Sequence, residues 1–505
     1  MKSFKVVDVF AGPGGLAEGF SAFRDETGAA VFDIALSVEK EVAAFATLRL
    51  RSFVRQFPIL PDAYYDYVAK RITLNSLKSL YPNEWAQAVS ETMMLELGTP
   101  EAQAVIDPVL TSIRGSAECE SVLIGGPPCQ AYSLVGRARN RGIVGYDPAA
   151  DHRHFLYKEY IRIIERLRPA AFVMENVKGI LSAKVSGGLI IDRILADLRS
   201  AGGASDSYVL VPLASGGKGP LGGHVIRCED YGVPQSRHRV ILVGIRSDRM
   251  GKSDGGALAG HALRPSATQP TAASVLSGMP LLRSGLSQGG DAPNVWRDSV
   301  IGAFMIAARA CEAEGMHLKP VAVSLRKHAQ MQTATIAIPP RSSTMPAPVA
   351  DEELSAWLCD PRLDSLPNNE TRGHMASDLA RYAFAATFAG RFNRSPTACE
   401  FPQLLAPAHD NWSSGKFADR FRVQRWNAPA TTVTSHISKD GHYFIHPDAN
   451  QCRSLTVREA ARLQTFPDNY LFEGNRTEQF VQVGNAVPPL LALKIAKVVN
   501  ALIRD

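Results

Sequence analysis

Cysteine is sparse and unpatterned in these 505 residues: Cys119, Cys129, Cys228, Cys311, Cys359, Cys399 and Cys452 make an odd set of seven with no CxxC pair. That excludes a disulfide framework and a zinc ribbon, and reduced thiols are expected. No apolar run approaches the roughly 18 to 20 residues of a membrane span, and Asp8 interrupts the first one, which suits neither a signal peptide nor an anchor. The expectation is a cytoplasmic protein without a membrane. Charge of one sign is also scarce: Lys+Arg 55 against Asp+Glu 49 leaves +6, which permits a polyanionic partner without demanding one. Internal repeats are missing. With 45% hydrophobic and 21% charged residues, disordered and fibrous classes are excluded, and the length fits two or three domains at roughly 150 residues each.

What is present reads first as an α/β protein. Lys5-Val6-Val7-Asp8-Val9-Phe10 is a short apolar run, Gly12-Pro13-Gly14-Gly15 breaks it, residues 16–23 have helical spacing, and 32–38 are apolar again. This opens a βαβ unit. The pattern returns with a strand at 121–124, a helix at 155–167 stopped by Pro169, a strand at 170–174, a helix at 189–198, and strands at 208–213 and 239–245. A first domain of residues 1–247 is therefore expected, interrupted by a helical insertion at about 53–118. Residues 248–290 shift to Gly, Ser, Ala and Pro, a linker or irregular loops leading into a second unit that extends to 450. Thr431 to Ser435, then Lys439-Asp440-Gly441, then His442 to Ile445 predict a hairpin. Two helices close the chain over 451–505: Thr456 and Glu459 form a capping box before one of them, and Pro488-Pro489 open the other, whose Leu491, Ile495, Val498 and Leu502 make one apolar stripe.

Gly12-Pro13-Gly14-Gly15-Leu16-Ala17 fits a loose GxGxxA turn, with Glu39 after the second strand where an acid holds ribose hydroxyls. Taken alone it admits a dinucleotide site, an S-adenosylmethionine (SAM) site or a purely structural turn. SAM lacks a pyrophosphate, which makes Pro13 in mid-turn easier to accept. Cys129 follows Gly125-Gly126-Pro127-Pro128, a stiff loop that aims the next side chain at the carboxyl edge of the sheet, so a nucleophile competes with the ordinary buried thiol. Glu175, expected just beyond the apolar strand 170–174, would reach the same edge; a solvated carboxylate is its plain alternative. Arg237 and Arg239 in Gln235-Ser236-Arg237-His238-Arg239 share a face by period two and suit anion contacts. His436, His442 and His446 lack accompanying ligand spacing, so no metal is expected. Arg420, Arg422, Arg425 and Lys439 flank the predicted hairpin and are candidates for phosphate or base contacts, or a solvated surface.

Six segments in order then resemble the cytosine-5 DNA methyltransferase family: Asp8-Val9-Phe10-Ala11-Gly12-Pro13-Gly14-Gly15, Gly126-Pro127-Pro128-Cys129-Gln130, Glu175-Asn176-Val177, Gln235-Ser236-Arg237-His238-Arg239, Arg458-Glu459-Ala460-Ala461-Arg462-Leu463-Gln464-Thr465-Phe466-Pro467, and Gly484-Asn485-Ala486-Val487-Pro488-Pro489. The resemblance covers 1–52, 120–247 and 450–500 by motif, and 248–450 only by position as the variable target-recognition part. It implies a Rossmann-like, mostly parallel SAM-dependent methyltransferase sheet with a smaller recognition domain, the last motif packing beside the first. Residue by residue it implies Cys129 as nucleophile toward carbon 6 of a flipped-out cytosine, Glu175 on the cytosine edge, and Arg237 with Arg239 at the target nucleotide. SAM would lie against Phe10, Ala11, Gly12, Gly14, Gly15 and Leu16, with Glu39 and Lys40 at the ribose, Pro127 near the methionine end, Leu156 near the adenine, and Asn485 with Val487 closing the pocket. Gln130, Ser133, Arg153 and Gln235 would touch double-stranded DNA. Compact members place an Asp soon after the second strand for the adenine amine; here Glu96, Asp107 or neither fills that place. The implied activity is sequence-specific DNA cytosine-5 methylation in a prokaryotic restriction-modification or defence system, at the nucleoid, with a cognate nuclease or defence subunits as partners and the 53–118 insertion as a partner surface. A tRNA cytosine methyltransferase and a catalytically silent DNA-binding regulator are the alternatives, the second disfavoured by intact Cys129, Glu175 and Arg239.

Overall fold

Strand β1 (Phe4–Val9) sends Phe4 and Val6 into one apolar layer and Val7 and Val9 into another, the two-sided burial of a strand covered by helices on both faces. The computed structural model describes residues 3–115, 120–128, 156–185, 188–214, 221–250, 262–288, 290, 292–333, 338–408, 412 and 419–504. Here β1 joins β2 (Phe32–Glu39), β3 (Thr92–Met94), β4 (Ser121–Gly125) and β5 (Ala171–Val177), all parallel, in the order β3-β2-β1-β4-β5. A small hairpin, β6 (Lys184–Val185) and β7 (Gly188–Leu189), precedes β8 (Tyr208–Val211), β9 (Val225–Arg227), β10 (Gln235–Ser236) and β11 (His238–Arg246). Strand β11 runs antiparallel to β5, β8 and β9, whereas β10 leaves the sheet. The α/β, mostly parallel class expected from the sequence is the class observed.

Strand order reverses between β1 and β4, which lie side by side with Val9 opposite Gly125. The loops leaving their carboxyl ends therefore part around one crevice, the position at which open α/β sheets bind ligands.

The insertion needs correcting. Helices α1 (Gly15–Ala22) and α2 (Val42–Arg55) are followed by α3 (Asp62–Val68), α4 (Leu74–Leu80), α5 (Pro82–Glu91) and α6 (Pro100–Gly115), but between the last two lies β3, paired with β2 through Ser37 and Thr92, Val38 and Met93, and Glu39 and Met94. The segment continues the βα alternation instead of interrupting it. Its helices close over Phe53, Tyr64, Tyr65, Val68 and Leu77, together with Leu363 from far along the chain.

Residues 262–288 carry irregular loops and one short helix, Ala272–Leu276, whose Ala272, Val275 and Leu276 pack with Val457, Ala460 and Phe466. Beyond them, helices Pro293–Glu314, Lys319–Thr333 and Ala376–Phe392 bundle through small residues, among them Ala303, Ala307, Ala322, Ala380 and Ala383. The predicted hairpin does not form. Ala430–Thr431 pairs in parallel with β10, the Thr431 N–H is taken by Gln424 at 2.9 Å, and Ser435–Ser438 and His442–Phe444 are single 3-10 turns. The backbone groups that would have made the hairpin ladder are spent on other partners.

Three helices close the chain, not the two expected, and the two expected start where their capping signals place them. Thr456 accepts from the Glu459 N–H at 3.1 Å, Glu459 reaches back to the Thr456 N–H at 2.8 Å, and helix Val457–Leu463 follows. Helix Arg476–Asn485, capped by Asn475, comes next, and helix Pro489–Arg504 lays Leu491, Ile495, Val498 and Leu502 into the layer shared with Leu16, Ala17 and Phe20 of α1. Residues 476–504 are long and apolar enough to cross a membrane, yet they break into two helices and 72% of the apolar window is buried in the fold.

Candidate active site

The turn after β1 is an uncommon stretch of backbone. Phe10, Gly12 and Gly14 have φ of 55°, 57° and 98°, three left-handed residues within five, of which only the glycines adopt that region without a steric cost. A Cβ on Gly15 would stand 2.3 Å from the Val487 carbonyl oxygen, so only glycine lets the last motif close on the first. A Cβ on Gly12 would meet nothing within 4 Å, which marks open space over the turn. Glu39 ends β2 beside it and accepts from the Gly12 N–H at 2.7 Å through one oxygen and from the Lys40 and Glu41 N–H groups at 2.9 and 2.8 Å through the other. The turn and its acid are thus one unit. Asn485 is exposed at the end of its helix and Val487 is buried.

Three residues before Cys129, Gly126 lies under Glu175: a Cβ there would be 3.1 Å from Glu175 Oε2. Glu175 does not follow the strand, as expected, but sits within it opposite Ile241, because β5 runs on to Val177 alongside β11. Arg239, on β11, brings Nε to 2.7 Å from Glu175 Oε1, and both side chains are 11% exposed. Asn176 donates to the Pro127 carbonyl at 3.4 Å, a link between the two loops that its motif neighbours could have signalled. Cys129, Gln130, Ser133 and Arg153 lie outside the described residues, which in this loop run to Pro128.

Arg237 and Arg239 do not share a face. The break between β10 and β11 turns Arg237 inward, 1% exposed, where it donates to the carbonyls of Val433, Gly484 and Ala486 at 2.8, 3.3 and 2.8 Å. Burial first, then the Arg239 cation, lowers its pKa below the ordinary arginine value. Gln235 is likewise corrected: it is fully buried, donating to Leu463 O and Gln464 Oε1 and accepting from the Val433 N–H, so its amide has no face toward DNA. Both residues stitch the last two motifs to the sheet.

Of the two acids considered for the adenine, Glu96 stands just beyond β3, 3.3 Å from Lys40 Nζ, whereas Asp107 is held by Arg162 at 2.6 Å on α6. Leu156 touches the same β3 loop, its Cδ2 being 3.2 Å from where a Gly98 Cβ would lie. Asp8, wholly buried in β1, makes no hydrogen bond through its carboxyl oxygens among the described residues, and burial pushes its pKa up to about 8, against a lowering by Arg55 and a further rise from Glu39. Cys228, behind Arg237, is buried and pushed up to about 12, which keeps it an inert thiol.

The basic residues at 420–439 are partly occupied. Arg420 pairs with Asp440 at 3.1 Å, Arg422 with Asp419, and Arg425 donates to Asn393 O at 2.8 Å, while Lys439 is exposed. Two of the histidines are structural: His442 meets the Tyr382 hydroxyl at 2.8 Å, and His446, its ring pushed down to about 4 by burial and then Arg453, donates its backbone N–H to Arg453 O; His436 is exposed.

A mostly parallel sheet with a strand-order switch, opened by a glycine turn with its acid, is the Rossmann-like fold of the methyltransferases. The model of the C-5 cytosine-specific DNA methylase family matches residues 82–272 and 356–501. The chain belongs to that family and is a DNA (cytosine-5-)-methyltransferase. It is 34% identical to the type II methyltransferase M.Bpa9945I of Bacillus paralicheniformis over 99% of both chains, and 26% identical to the type II methyltransferase M.AgeI of Thalassovita gelatinovora over 99% of this chain and 100% of the relative. The DNA (cytosine-5-)-methyltransferase M.ApeKI of Aeropyrum pernix is 29% identical over 74% of this chain and 80% of its own. A solved structure described as a prophage-encoded DNA modification methyltransferase (E. coli) shares the fold, with a TM-score of 0.50, 21% identity and full coverage of both chains.

Proposed function

We propose that this protein methylates carbon 5 of cytosine within a specific sequence of double-stranded DNA, through a covalent Cys129 adduct, as the modification enzyme of a prokaryotic restriction-modification system. The observation that carries the reading is the Glu175–Arg239 pair, set over Gly126 at the start of the Cys129 loop. Glu175 holds ring nitrogen 3 and the exocyclic amine of a cytosine swung out of the duplex, and Arg239 fixes that carboxylate. The Cys129 thiolate, favoured by nearby cationic charge, forms a bond to carbon 6, and the electron pair of the 5,6 double bond makes carbon 5 nucleophilic. Bound SAM would supply the electrophilic methyl group, its S–CH3 bond breaking to leave S-adenosylhomocysteine. Loss of the carbon-5 proton to a base then restores the double bond and breaks the sulfur–carbon 6 bond, releasing Cys129.

The open space over Gly12, the Glu39 carboxylate and the switch-point crevice fit SAM. Phe10, Ala11, Gly12, Gly14, Gly15, Leu16, Lys40, Pro127, Leu156, Asn485 and Val487 would line its site, with Glu96 at the adenine place. Arg237 acts as a positioning residue. Residues 248–450 read the DNA through Arg420, Arg422, Arg425 and Lys439, and Gln130, Ser133 and Arg153 would contact the target strand. The enzyme would work in the cytoplasm on the chromosome, beside a cognate nuclease. Transfer of labelled methyl from SAM to duplex DNA and to tRNA, with the modified base mapped, tests this: 5-methylcytosine in one DNA context is expected, and label in tRNA alone overturns it.

A further inference from the structure

The glycine turn is held from behind by a strap, residues 469–473, that the chemistry above does not use. Tyr470 is fully buried and donates its hydroxyl to the Pro13 carbonyl in the middle of the turn. A Cβ on Gly14 would stand 3.2 Å from that hydroxyl. The Arg51 guanidinium lies 4.4 Å from the Tyr470 ring centre and pairs at 2.5 Å with Glu18 of α1, the helix the turn leads into. Burial raises the Tyr470 phenol pKa, which keeps it a donor.

The strap is anchored at both ends by the insertion. The Tyr64 hydroxyl of α3 donates to Asn469 O at 2.7 Å, and that of Tyr67 to Glu473 Oε1 at 2.6 Å. Tyr65 donates to Asp360 Oδ2 at 2.8 Å, the oxygen that also takes the Asn469 amide at 2.7 Å. From α2, Thr47 accepts the Glu473 N–H at 2.8 Å, and Arg458 donates to Tyr470 O at 2.6 Å.

A turn with left-handed Phe10, Gly12 and Gly14 persists only where its surroundings over-determine it. We propose that Tyr470 is a positioning residue for the cofactor turn, and that α3 of the insertion serves the same site by fixing the strap that carries Tyr470. This rests on the turn being the SAM site.

Tyr470→Phe keeps the ring, its packing and the Arg51 contact, and removes one buried hydrogen bond. Titration of the full-length chain with S-adenosylhomocysteine is expected to show Kd weakened about five- to tenfold, with KM for SAM raised in the same ratio and kcat and KM for DNA within about twofold. The double variant Tyr64→Phe/Tyr67→Phe is expected to move Kd in the same direction by about two- to threefold, since it loosens the strap without touching the turn. A Tyr470→Phe enzyme whose Kd stays within about twofold of wild type, with or without a fall in Tm, overturns the positioning role. An unchanged Kd in the double variant overturns the insertion's part in it. Wild-type protein that binds no S-adenosylhomocysteine sinks the cofactor reading itself, a result separable from either variant's.

Discussion

Arginine is used in opposite ways on the two sides of residue 450. In residues 453–468 it is scaffold: Arg453 and Glu459 are both 0% exposed and 2.6 Å apart, Arg462 and Asp468 are 1% and 0% exposed and 2.7 Å apart, and Arg458 donates to the carbonyls of Pro367, Pro467 and Tyr470. Burial alone would raise the Glu459 pKa, but Arg453 and then His446 hold it down to about 2. In residues 420–425 the pairs are open to water, with the Arg422 and Asp419 side chains 36% and 51% exposed. A buried pair must keep both members, because removing one strands the other's charge. An exposed pair trades its partner for solvent at little cost, which leaves it free to trade for a phosphate. Between them in character is Arg239, buried enough to hold Glu175 yet set at the edge of the crevice.

Four experiments sharpen or break this division. The largest effect is chemical: Cys129→Ser should keep S-adenosylhomocysteine binding and lower methyl transfer by roughly 10³-fold or more, and normal turnover in that variant would sink the mechanism. Next comes the scaffold: Arg453→Met should lower unfolding free energy by about 3–5 kcal/mol in urea titrations, by stranding Glu459. Smaller, and dependent on pH, is Asp8. Its carboxyl is neutral in the fold up to about pH 8 but ionises near its ordinary value when unfolded, so the folded state binds the extra proton and wild type loses stability relative to Asp8→Asn as pH climbs from about 4 to 8. Thermal melts across that range that run parallel for the two proteins would contradict the burial argument. The smallest is Arg422→Ala, expected to change stability by less than about 1 kcal/mol while weakening DNA binding and flattening its salt dependence; a folding defect there would place Arg422 with the scaffold.

Much of this was legible in the sequence where local signals and tertiary structure agree. The apolar alternation of β1, the Thr456 and Glu459 capping box and the stripe on helix Pro489–Arg504 all fold as their patterns say. Strand β3 was hidden because three residues, Thr92-Met93-Met94, follow a helix directly and owe their extended form to pairing with β2. The hairpin failed for the converse reason, since β10 and Gln424 outcompeted its own second arm. At the candidate site, the sheet edge that joins Glu175 and Arg239 followed from their motifs and the place of Glu39 from the second strand, but period two misplaced Arg237, whose direction is set by the break between β10 and β11. Tyr470 carried no signal at all: its partner Pro13 is 457 residues away.

That separation has a consequence for the living cell. At about 5–20 residues per second of translation, the Pro13 turn waits on the order of half a minute to a minute and a half for the residue that braces it. Until then a growing chain has its first strand and helix but lacks the Tyr470 hydrogen bond, so the turn would reach its braced form only after the chain has grown past residue 470.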